Sequence, residues 1–107
     1  MSSADLLPES GLKIGLFVRT AMENLSASGY AFSDEEMRMI CEENAMNKVM
    51  GMQRNMPFFM PYADDVNHRR YYAKPLTFGE HKVFLNAQLY ESDRAPFVTW
   101  FKKHCES

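Results

Sequence analysis

The apolar residues of the first third of the chain recur at helical spacing. Between Leu12 and Ser28, Ile14, Phe17, Val18, Ala21, Met22 and Leu25 fall at i, i+3, i+4, i+7, i+8 and i+11. That is one broad buried stripe on an amphipathic helix, with Lys13, Arg19, Glu23 and Asn24 on the other side. Ser10 is the expected N-cap, and Gly29 the expected residue just past the end. Residues Met1 to Glu9 read as a loose lead-in.

A second start signal is sharper. Ser33-Asp34-Glu35-Glu36 matches a capping box, in which the serine hydroxyl and the glutamate side chain each satisfy the other residue's N–H. Phe32 and Met37 sit where a hydrophobic staple would close, and Met37, Ile40 and Cys41 mark a narrow apolar face. This helix is expected to end near Glu43 or Asn44. Asn44 would cap a further short helix, Ala45 to Met50, stopped by Gly51. One continuous helix from Asp34 to Met50 is the alternative, and Asn44, poor inside a helix and good at its start, favours the break.

Beyond this point helical spacing lapses. Met52 to Tyr62 carries Pro57 and Pro61 and no period, so it reads as an apolar loop laid over the core. Ala63 to His68 reads as a polar connection turning at Asp64-Asp65. Arg70 to Lys74 and Lys82 to Leu85 then read as the strands of a β-hairpin, with Gly79 in the connection. Two strands alone are marginal in water, so helices must cover them. A last helix is expected from Ser92 or Asp93 to about His104, with Phe97, Trp100, Phe101 and His104 on one face. Trp100 is expected to be buried against the hairpin or the first helix. The expected class is α+β, a single domain of three N-terminal helices, a hairpin and a C-terminal helix.

Composition changes this picture little. The 107 residues suffice for one core without metals or disulfides. Nine methionines and eight phenylalanines are an unusual apolar load, most of it expected in the core, with an exposed methionine-rich face as the minority reading. The net charge of −2 gives no field toward nucleic acid. Residues 1–50 carry four Lys or Arg against eight Asp or Glu, and residues 51–107 carry eight against six. Cys41 and Cys105 have no metal-type spacing, and Cys41 is expected as a buried free thiol. With no signal-peptide pattern and no long apolar run, the reading is a cytoplasmic protein with no membrane contact.

No catalytic or nucleotide-binding motif occurs, so no enzyme activity and no cofactor are expected. A metal site from His68, His81 and Asp64 or Asp65 matches no ligand spacing. The constellation with functional content is basic and aromatic: Arg69, Arg70, Tyr72, Lys74 and Lys82 around the hairpin, with Lys48 and Arg54 nearby in the scheme that follows. Strand alternation would set Arg70, Tyr72 and Lys74 on one face, able to meet phosphates or a partner. The bland counterpart is that the tyrosines pack on helices while the cations blunt strand edges.

The order helix, short helix, short helix, hairpin from Leu12 to Leu89 resembles a winged-helix domain. That resemblance implies a recognition helix at Ala45 to Gly51, offering Asn47 and Lys48 with Gln53 and Arg54 beyond, and a hairpin acting as the wing. Two functions follow as expectations. The first is an interaction or regulatory domain that contacts another protein, or a second copy of itself as a homodimer, through exposed methionine and aromatic residues of Met52 to Tyr62 and the last helix. The alternative is a winged-helix-like nucleic-acid binder that uses the hairpin.

Overall fold

The first helix forms where the stripe places it. In a computed structural model that describes residues 3–53, 55–61, 71–72 and 74–104, helix α1 spans Ile14–Ala27 and buries Ile14, Phe17, Val18, Ala21, Met22 and Leu25. It starts after Lys13, with no side-chain cap, rather than at Ser10. At its far end the Ser28 and Gly29 N–H groups turn back to the Asn24 and Ser26 carbonyls, and Gly29 takes φ +86°. A 3-10 turn at Ser3–Leu6 is tied down where the Asn24 amide donates to the Leu6 carbonyl at 2.9 Å, and Leu6 and Leu7 pack on the core.

The break between the next two helices is present. Helix α2 covers Asp34–Ile40, shorter than expected, and α3 covers Ala45–Lys48. Asn44 precedes α3 but makes no side-chain cap bond, so the break owes nothing to its amide. Cys41 closes α2 half-buried, with Sγ 4.0 Å from the Met37 sulfur, and not fully inside. Cys105 lies outside the described residues.

The sheet departs most from expectation. It has three antiparallel strands, β1 at Phe59–Pro61, β2 at Leu76–Phe78 and β3 at His81–Leu85, in the order β1-β3-β2. The hairpin is therefore real, but its first strand is Leu76–Phe78 and not Arg70 to Lys74. Phe78 pairs with His81, which leaves a two-residue turn of Gly79 and Glu80. Gly79 has φ +64°, while no described non-glycine residue has a positive φ, as a type II′ turn requires. That turn fixes the register. Tyr71 pairs with Asn86 as an isolated bridge. Strand β1 comes from the stretch read as loop. It lies at an edge, where Pro61, paired opposite Val83, can forgo its N–H.

Alternation sends Val83 and Leu85 to the core with Leu76, Phe78 and Phe59. On the opposite face Phe84 is buried too, while Lys82 and Thr77 are exposed. The end of β3 is thus covered on both sides rather than half-buried. Asn86 just beyond it is fully buried. Its amide donates to the Pro57 carbonyl at 2.9 Å and its Oδ1 accepts from the Gln88 N–H at 2.7 Å, so the burial is matched by bonds.

Helix α4 spans Arg94–His104 after a 3-10 turn at Glu91–Asp93. The buried Asp93 carboxylate accepts from the Tyr90 N–H at 2.8 Å. Arg94 ties α4 to the start of α1: its guanidinium donates to the Leu12 carbonyl and to Glu91, and lies 4.6 Å from the centre of the Phe17 ring. The same hydrogen bond holds the Glu91 carboxyl below its ordinary pKa.

Gly79 serves two purposes, and they can be separated. A Cβ there would stand 2.7 Å from the Ala31 Cβ, whereas one at Gly29, also left-handed, would meet nothing within 4 Å. Gly29→Ala should cost about 1–2 kcal/mol for the left-handed backbone alone. Gly79→Ala should cost measurably more in urea denaturation; equal costs would show that the Ala31 contact gives way freely.

Candidate functional site

Among the described residues, the aromatic side chains of the Met52 to Tyr62 stretch and of the last helix lie in the core rather than on an exposed face. Met52, Phe58 and Phe59 are buried, Met56 and Met60 are half-buried, and Phe97, Trp100 and Phe101 are buried on α4. Among the described residues the large apolar side chains left exposed are Leu16, Met39 and Tyr90.

Met39 stands beside a depression. A groove of about 210 Å³ lies between α2, the end of α3 and α4, lined by Glu36, Met39, Ile40, Val49 and Trp100. Trp100 is only 4% exposed. The rings behind it hold it there: it stacks on Phe32 with centroids 6.2 Å apart and planes 18° from parallel, and it meets Phe58 at 5.8 Å and Phe97 at 6.1 Å. The burial of Trp100 follows the expectation, although the rings against it come from the segments before α2 and β1 and from α4 itself.

Local rules place the other walls. The Ser33 Oγ accepts from the Glu36 N–H at 3.1 Å and the Glu36 carboxylate accepts from the Ser33 N–H at 3.4 Å, so the capping box is formed. With Phe32 and Met37 both buried beside it, the box fixes where α2 begins. It also sets Glu36 on the groove's rim. The far end of α2 is pinned by the Phe58 N–H, which donates to the Ile40 carbonyl at 3.1 Å. Val49 caps α3, whose return loop is held by the Met46 N–H on the Met56 carbonyl at 2.9 Å and the Asn47 amide on the Met52 carbonyl at 2.7 Å. Gly51, at φ +75°, makes the turn between them.

Of the basic constellation, Tyr72, Lys74, Lys82 and Lys48 fall among the described residues. Arg54, Arg69 and Arg70 lie outside the described residues, as do His68, Asp64 and Asp65 of the metal alternative. Tyr72 is half-buried against α1: its backbone N–H donates to the Leu85 carbonyl at 2.9 Å, and the Arg19 guanidinium lies 5.0 Å from its ring centre. Lys74 is exposed at a bend before β2, outside any strand. Lys82 is exposed on the outer sheet face, and Lys48 is exposed on α3, which packs with α2. His81 Nε2 lies 2.9 Å from the Asp34 carboxylate, joining the hairpin to the first turn of α2.

Sequence reasoning passed over Met39. The signal was there: an apolar residue off the stripe of Met37, Ile40 and Cys41, with acidic side chains a turn away on either side. Val49 was placed on the buried side of α3, and it is half-buried at the groove.

Comparison with protein-family models, curated proteins and solved structures finds no match for this chain. The winged-helix likeness therefore rests on element order alone. Among the described residues, no helix is long and apolar enough to cross a membrane.

The capping box makes the site's position testable. Ser33→Ala should lower stability by about 1 kcal/mol. A cost near zero in thermal or urea unfolding would mean that the box does not hold the rim in place.

Proposed function

We propose that this chain is a small intracellular interaction domain that works through protein–protein contacts, and that the groove between α2, α3 and α4 is where it receives its partner. One observation carries this reading: a depression lined by Met39, Ile40, Val49 and Trp100, with Met39 left 36% exposed at its rim. Apolar surface of this kind is stabilised when a partner's side chain excludes water from it. Methionine suits such a rim, since its unbranched thioether adapts to differing shapes. A groove of about 210 Å³ is below the volume usual for a small-molecule site, and fits one or two inserted side chains. A buried aromatic beneath a flexible apolar lip is also the arrangement from which interface hot spots are built.

The groove can be tested without knowing the natural partner. The probe is a synthetic amphipathic helical peptide with leucines on one face and glutamines on the other. Trp100 is the chain's single tryptophan, so its emission reports occupancy. The emission and the Met39 methyl resonance should respond saturably. Met39→Gln should weaken that response by about tenfold, the effect of losing an apolar contact of roughly 1.4 kcal/mol. A response that survives Met39→Gln unchanged, or no saturable response at all, contradicts the reading.

A further inference from the structure

The groove has one polar sign along its α2 wall. On a helix, residues three and four apart are surface neighbours. On α2, Met39 accordingly has Glu35 and Glu36 a turn before it, while Glu42 and Glu43 follow in the turn after the helix ends at Ile40. Glu36 lines the groove itself, and Glu35 and Glu43 are exposed. From 34 to 43 five carboxylates stand against one guanidinium, that of Arg38, which is engaged with Glu42 at 2.9 Å. The other walls differ. Lys48 precedes Val49 and Lys103 follows Trp100 by one turn; both are exposed and neither lines the groove.

Resting on the docking reading above, we infer that the groove's partner is a cationic amphipathic helix of another protein, its apolar ridge seated over Trp100 and its Lys or Arg residues along the α2 side. The walls are helical segments that present side chains rather than a strand edge, which suits a helix laid into a groove and not an added β-strand. Glu36 lines the groove and Glu35 stands exposed one turn before Met39, at a rim where charge governs selection and encounter more than the depth of binding. An acidic helix on the same ridge would bring like charges together at Glu35 and Glu36.

Three peptides of equal length separate these elements. All share one leucine face, and their polar positions are lysine, glutamine or glutamate. Titrations follow Trp100 emission and the Met39 methyl signal. The lysine peptide should bind at least tenfold more tightly than the glutamate peptide at low salt. That ratio should shrink several-fold between about 50 and 300 mM salt, as rim charges are screened. Glu35→Gln with Glu43→Gln leaves the capping box intact and should abolish most of the preference while the glutamine peptide binds as before. Equal binding of the three peptides, or a preference untouched by the double substitution, overturns the cationic partner while the groove reading stands. Lysine-peptide binding that ignores Met39→Gln also overturns it, since the peptide would then sit elsewhere on the acidic surface. If no peptide binds, both readings fall.

Discussion

Among the described residues Phe32 touches four other rings, and the fold closes around it. Its ring lies 5.0 Å from Tyr30, 5.1 Å from Phe78, 6.0 Å from Phe59 and 6.2 Å from Trp100. Those rings belong to the approach to α2, to β2, to β1 and to α4. One side chain thus joins the sheet to the last helix, and it sits directly before the capping box that starts α2. Edge-to-face and stacked pairs of this kind add to the stabilisation from area alone. Phe32 also supports the groove from beneath, since Trp100 stacks on it. The candidate site and the core are therefore one construction: the floor of the first is the outer layer of the second.

This dependence explains why the groove is both apolar and well defined. Trp100 cannot retreat, because Phe32, Phe58 and Phe97 fill the space behind it. Met39 cannot join the core, because Met37 and Ile40 occupy the buried face of α2. The short break between α2 and α3 leaves Val49 as the third wall. Each restriction is local, and the cleft is what remains between them.

Local signals were legible in the chain, and long-range ones were not. The α1 stripe, the Ser33 box and the Gly29 stop each depend on residues within a turn of one another, and each is present. The hairpin was recognised but misplaced, because the β-forming Tyr71-Tyr72 pair outweighed a better cue. A two-residue turn starting at Gly79 demands a strand ending at Phe78, and Leu76-Thr77-Phe78 has the required alternation. Strand β1 was missed because Pro57 just before it and Pro61 within it argue against a central strand; at an edge they carry no such cost. The buried Asn86 depends on the Pro57 carbonyl, far away in sequence, and no period announces it. The groove draws its walls from three separated segments, so only the odd position of Met39 hinted at it.

Phe32→Ala, followed by urea denaturation with Trp100 emission as the probe, tests the central dependence most directly. If Phe32 joins the sheet, α2 and α4, its truncation should cost about 3–5 kcal/mol, and native-state emission should shift to the red as Trp100 loses its support. A cost below about 1 kcal/mol with unchanged emission would contradict the account, because Trp100 and the sheet would then be held by something other than the ring between them.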